Sequence, residues 1–122
     1  MADPILNLSE LLEGDSKGYL RQNDRNLIAA RLAIDPRIVA NNLSAPPGSG
    51  IARGDAWIIS GTATGNWAGQ AAKTVAIALA ANPTSPSGWF FYVPKHGLRL
   101  WILAGTGTLG HVVYDGTNYI AV

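Results

Sequence analysis

The chain has 122 residues, 9 Lys and Arg against 8 Asp and Glu, 48% hydrophobic residues and no cysteine. That length suits one ordinary domain with an appendage and leaves no room for a second, catalytic one, while the missing thiols exclude disulfides and thiolate metal sites. A net charge of +1 with 14% charged residues gives no basic stripe for a phosphate backbone, so no nucleic-acid partner is expected.

The longest apolar run, residues 75–81, is far short of the roughly 20 residues of a membrane-spanning helix, so no membrane insertion is expected. The N-terminus has no basic stretch leading into an apolar run and cleavage site, and no secretory signal is read there. Few charges over so apolar a chain mean that its surface is covered by something other than Lys and Glu. Self-association or a permanent partner would do this.

In chain order, Leu6, Leu8, Leu11 and Leu12 surround Ser9 and are followed by Gly14. They could form a single helical turn capped by Ser9, too short to be stable alone. The segment reads either as a docking peptide, with Leu8, Leu11 and Leu12 as contacts, or as an arm lying on its own domain. From about Gln22 to Ile34 the residue types predict a helix, with Asn23 or Asp24 available as cap. Ala29, Ala30 and Ala33 widen its apolar surface beyond Leu27, Ile28 and Leu32, so these three are candidate oligomer or docking contacts. Pro36 ends the pattern, and Pro46-Pro47-Gly48-Ser49-Gly50 marks a boundary. The division read from this is a docking arm and helix over 1–44 and an aromatic-rich β domain over 45–122.

Six strand candidates follow, at 56–60, 74–79, 89–93, 98–103, 111–114 and 118–122, each rich in β-branched or aromatic residues and separated by Gly, Pro, Asn or Ser. The four alanines of 74–81 also admit a helix. Asp115-Gly116, between Tyr114 and Tyr119, is the strongest hairpin signal. The expected fold is mainly β: a small antiparallel sheet or barrel-like domain of about six strands with an N-terminal helix and extended arm.

Little in the chain can carry chemistry. Beyond Pro36 the only carboxylates are Asp55 and Asp115, too few for paired acid–base work or a divalent-metal cage. Gly105-Thr106-Gly107-Thr108-Leu109-Gly110 matches a dinucleotide-binding spacing. A strand follows it, where a helix N-terminus would have to hold the pyrophosphate. Arg53-Gly54-Asp55 reads as a turn before a strand, and His96 and His111 lack companion ligands for zinc. No Gly-x-Ser-x-Gly elbow is present. No catalytic residue, metal site or cofactor is expected, and the chain is not read as an enzyme.

Aromatics are the set in which function competes with packing. Trp57, Trp67, Trp89, Tyr92, Trp101, Tyr114 and Tyr119 fall on or beside the strands. Exposed Trp and Tyr can stack on sugars or anchor an interface. Core packing is the default for each, and Trp67, in a Gly-flanked loop, is the first candidate for exposure. Trp67, Trp89 and Tyr92 are the candidate glycan- or partner-binding residues.

Four motifs in order carry a family resemblance. Ala45-Pro46-Pro47-Gly48 with Gly54-Asp55-Ala56-Trp57-Ile58-Ile59 is the first, and Ala63-Thr64-Gly65-Asn66-Trp67-Ala68-Gly69-Gln70 the second. Trp89-Phe90-Phe91-Tyr92-Val93-Pro94-Lys95-His96-Gly97-Leu98 and Val113-Tyr114-Asp115-Gly116-Thr117-Asn118-Tyr119 complete the set. Together with the helix before them they resemble the DUF2793 domain of phage and gene-transfer-agent proteins, found in tail fibres and related virion appendages. Leu98 and Tyr119 stand where that family often has Trp, and 70–87 lacks its usual Gly/Trp pattern.

The resemblance implies a virion structural protein made in the host cytoplasm: a tail-fibre, spike or fibre-adaptor component that docks to the particle and helps host attachment. It implies a homotrimer with other phage tail or virion proteins as partners. A host cell-surface polysaccharide is a further expected partner. The alternatives are a carbohydrate-binding module that recognises a host glycan through Trp67, Trp89 or Tyr92, and a capsid decoration protein.

Overall fold

Helix α1, Gln22–Ala29, opens the part of the chain described by the computed structural model, residues 22–122. The docking contacts expected at Leu8, Leu11 and Leu12 lie outside these residues. The helix widens into a π turn over Ala30–Ile34, closed by the Asp35 N–H donating to the Ala30 carbonyl at 2.7 Å. Such five-residue closures occur mostly as single turns. Pro36 has no N–H to continue the ladder, so the chain leaves the helix there and becomes extended.

Eight strands follow: β1 (Arg37–Ile38), β2 (Ala40–Leu43), β3 (Ala56–Ile59), β4 (Val75–Ala78), β5 (Trp89–Tyr92), β6 (Arg99–Ile102), β7 (Gly110–Tyr114) and β8 (Tyr119–Ala121). All six expected strands form, and within 74–81, where a helix was the other possibility, Val75–Ala78 is strand and no helix forms. The protein is mainly β, but no barrel closes. The strands divide into two four-stranded sheets, one ordered β1-β6-β7-β8 and the other β2-β3-β4-β5.

The two strands not expected from the sequence, β1 and β2, join the sheets. β1 runs parallel to β6 with Arg37 opposite Trp101, and β2 runs parallel to β3 with Ala40 opposite Trp57. All other pairings are antiparallel. Val39, between them, donates to the Ala56 carbonyl at 2.8 Å, while Leu103 donates to Ile38 at 2.9 Å and Asn41 to Ala104 at 3.2 Å. One extended segment thus bonds to both sheets, and residues that the sequence grouped with the arm and helix belong to the β fold.

The main core lies between the sheets. Ile58, Val75, Ile77, Phe90 and Tyr92 face Ile38, Leu98, Leu100, Ile102 and Val112, and Ile28 and Leu32 of the helical segment close one side. The β2-β3-β4-β5 sheet is covered on its other face too, and every residue of β3 and β4 is buried. The β1-β6-β7-β8 sheet is covered on one face only, and β6 alternates exposed and buried. Continuous apolar runs suit strands buried on both faces, and alternation suits one face in solvent.

Candidate functional site

The first candidate surface was the aromatic loop, and the structure moves it indoors. Trp67 sits in a short 3-10 turn, Gly65–Trp67, whose loop is tied to the strand side by the Thr64 N–H donating to Ser44 O at 2.9 Å. From there it folds over the outer face of β3, β4 and β5. That face is built of Trp57, Ile59, Ala76, Ala78 and Trp89. The ring centroids of Trp67 lie 6.2 Å from Trp57 and 5.4 Å from Trp89, the latter edge-to-face at 87°.

Trp67 is 0% exposed, Trp89 4% and Tyr92 2%. Core packing, the default for each aromatic, holds for Trp67, and its candidacy for exposure is corrected: a loop that covers an apolar sheet must bury its largest side chain, and the flanking glycines supply the bends that let it do so. Trp89 packs in the same cluster and Tyr92 in the core between the sheets. In this arrangement none of the three presents a ring on which a sugar can stack.

The helical contacts are also internal. Ile28 (0%) and Leu32 (2%) are core residues, and half-buried Leu27 lies with its Cδ1 only 2.9 Å from where a Cβ on Gly54 would stand. The helix spends its apolar stripe on its own domain, with Ile28 and Leu32 packed into the core cluster between the sheets. Ile28 and Leu32 are thus unavailable as contacts for another copy.

Uncovered apolar surface lies elsewhere, on the outer face of the β1-β6-β7-β8 sheet. On β6 the exposed positions alternate with buried Leu100 and Ile102, so Arg99, Trp101 (49% exposed) and Leu103 (54%) point outward together. Pairing places Val39 of the β1–β2 segment and His111 and Val113 of β7 beside them, and Ile120 and Val122 at the β8 edge. His111 stacks on Trp101, centroids 5.9 Å apart and planes 25° from parallel. Sequence reasoning gave Trp101 no special place. The available signal was that Arg99-Leu100-Trp101-Ile102-Leu103 is apolar on both alternating sets, one more than a half-solvated strand needs.

The carboxylates of the described residues are engaged in holding the fold. Asp35 takes the Arg37 guanidinium in two hydrogen bonds of 2.9 and 2.8 Å. That bond and the charges of Arg37 and Arg31 hold its carboxyl below the usual range. Asp24 pairs with Arg53 at 2.9 Å, and Asp55 accepts from the Ala52 N–H. This ties Arg53-Gly54-Asp55 into the turn before β3. Asp115 accepts from the N–H groups of Asn118 (2.7 Å) and Thr117 (2.8 Å), which lower its pKa. Burial pushes the Tyr119 phenol up. Among the described residues no three of His, Cys, Asp and Glu come together as a metal site would require. The glycine-rich turn after β6 leads into β7 and has no helix behind it.

The profile of one family, described as a protein of unknown function (DUF2793), matches residues 25–120. The chain belongs to the DUF2793 family. The match begins inside α1 and ends in β8, so the DUF2793 domain takes in the helix and both sheets. Its motif residues in this chain are largely those that hold the fold: the turn before β3, the Trp67 loop, β5 and the Asp115 hairpin. Comparison with curated proteins and with solved structures gives no match.

Proposed function

We propose that this DUF2793 protein is a structural subunit of a bacteriophage particle, a component of a tail fibre, spike or fibre adaptor that acts by assembly as a homotrimer and performs no chemical step. The observation that carries the assembly role is the outer face of the β1-β6-β7-β8 sheet, where Trp101, Leu103, Ile120 and Val122 are each 44% or more exposed on a single surface. A contiguous apolar face of this kind marks a contact surface rather than a solvated one. The virion setting rests on the resemblance of the sequence motifs to phage appendage proteins.

The occupant is a second copy of the chain, and charge argues for how it sits. The first sixteen residues carry Asp3, Glu10, Glu13 and Asp15 and no base, set among Ile5, Leu6, Leu8, Leu11 and Leu12. Residues 22–122 carry seven Lys and Arg against four Asp, and Arg99 stands on the apolar face itself. An acidic, leucine-rich segment from one copy complements the Arg-flanked face of the next, through apolar burial at its centre and opposite charge at its rim.

Light scattering of the full chain tests the assembly. Three times the 12.8 kDa chain mass is expected, falling towards the monomer when Trp101→Ser and Leu103→Ser are combined; a clean monomer of the unaltered chain at micromolar concentration refutes the homotrimer. Gold-labelled antibody on purified virions tests the setting, and particles that carry no label on tail or fibres refute it.

A further inference from the structure

A cleft of about 270 Å³ opens at one end of the fold, between the two sheets. Its walls come from both: Ser60 and Lys73 from the connection between β3 and β4, Thr106 and Thr108 from the glycine-rich turn, and Asn118 from the β7–β8 hairpin, over a floor that includes Ile58 and Ile102. We propose that this cleft binds a carboxylate-bearing sugar unit, with Lys73 receiving the carboxylate and the hydroxyl and amide groups of the rim receiving the ring hydroxyls.

Lys73 is held with unusual insistence. Its backbone has φ 75°, a left-handed conformation that a residue with a long side chain seldom adopts. It is pinned on both sides, by its N–H donating to Ile59 O at 2.7 Å and by its carbonyl accepting from the Tyr119 hydroxyl at 2.7 Å. The ammonium donates to Thr117 O at 2.5 Å and to Asn118 Oδ1 at 2.6 Å. These two acceptors are neutral and occupy two of its three N–H bonds. Among the described residues no carboxylate pairs with it, whereas Arg31, Arg37 and Arg53 all have one. An anion entering the cleft meets a positioned and uncompensated charge.

The opposite wall is equally fixed. Asn41 clamps the glycine-rich turn by donating from Nδ2 to Thr106 O and accepting at Oδ1 from the Thr106 N–H, both at 2.8 Å. Gly105, at φ 127°, leaves room for that clamp, since a Cβ there would lie 1.8 Å from Asn41 Oδ1. The clamp uses the backbone of Thr106. The side-chain hydroxyls of Thr106, Thr108 and Ser60 belong to exposed residues at the rim. Hydroxyl and amide groups that both donate and accept suit a polyol, and one lysine suits its acid group. A ring of monosaccharide size fits the volume.

This inference is independent of assembly, because the cleft is complete within one chain. The test is a titration of the full chain with D-glucuronate, D-glucose and acetate, followed by amide NMR. Glucuronate is expected to shift Lys73, the 105–108 turn and Asn118, with about millimolar affinity, and to bind roughly tenfold more tightly than either glucose or acetate. Equal affinity for glucose would show that Lys73 does not select the acid, and equal affinity for acetate would show that the rim does not recognise a sugar; either result, or no shifts, overturns the proposal. Lys73→Gln should abolish the preference for glucuronate over glucose. Because that change also disturbs a pinned turn, Thr108→Val and Ser60→Ala, which alter only exposed rim hydroxyls, should weaken glucuronate while leaving acetate unchanged. Unaltered glucuronate binding in both rim variants likewise overturns the proposal.

Discussion

Truncation of Trp67 separates a packing role from a recognition role. The side chain is 0% exposed and contacts two other indole rings at 6.2 and 5.4 Å. Trp67→Ala removes its whole transfer free energy and leaves a cavity under a loop that can only partly collapse, a loss of about 3–5 kcal/mol. The two ring contacts, at about 0.5–1.5 kcal/mol each, fall within that figure. Against a total stability of about 5–15 kcal/mol for a domain, the variant keeps little reserve. Its melting temperature should drop by about 10–20 °C. Urea unfolding followed by far-ultraviolet circular dichroism measures the loss directly, with Val93→Ala, at a site 64% exposed, as a control expected within about 0.5 kcal/mol of the unaltered chain. A Trp67→Ala midpoint equivalent to less than about 1 kcal/mol would refute the assignment of Trp67 to a buried cluster.

Gly105→Ala should lower stability by about 2–4 kcal/mol in the same urea assay, since the new Cβ both occupies a left-handed backbone and displaces the Asn41 clamp. Asn41→Ala, which removes the clamp's two hydrogen bonds without strain, should lose less, about 1–2 kcal/mol; the reverse order would contradict the steric argument. Asp115 has its pKa lowered by the Asn118 and Thr117 N–H groups. Its contribution is therefore present above the ordinary carboxylate pKa and is lost as pH falls through the lowered folded value. Amide NMR of Thr117 and Asn118 should titrate with a midpoint below that of an Asp in a short peptide, and a midpoint at or above it counts against the hairpin contacts.

The sequence was legible where each strand carried its own punctuation. All six strands from β3 onward were bounded by Gly, Pro, Asn or Ser, and Asp115-Gly116 named its hairpin. β1 and β2 share one run between Pro36 and Ser44 with no break of their own: Arg37-Ile38-Val39-Ala40-Asn41-Asn42-Leu43 places two polar amides in a short extended stretch, and the pairing of β1 depends on a partner far along the chain. Trp67 misled because glycines on both sides describe backbone freedom and do not say which way the loop turns. The apolar set on β3–β5 held that information, since an alternating pattern with both sets apolar must be covered twice. The same rule applied to β6 would have found Trp101. The cleft was invisible because its residues come from five separate segments and meet only through Asn41, Lys73 and the hairpin.

The double attachment of residues 37–43 also has a kinetic meaning. β3-β4-β5 and β6-β7-β8 are each built from successive antiparallel neighbours and can form from local contacts. β1, by contrast, must find β6 across the whole intervening chain, with Arg37 reaching Trp101. Contacts of such separation close large loops and slow the last step of folding. β2 can pair with β3 a short way along the chain, whereas β1 is expected to dock only after β6-β7-β8 has formed, so the first of the described strands to be synthesised is among the last to be fixed.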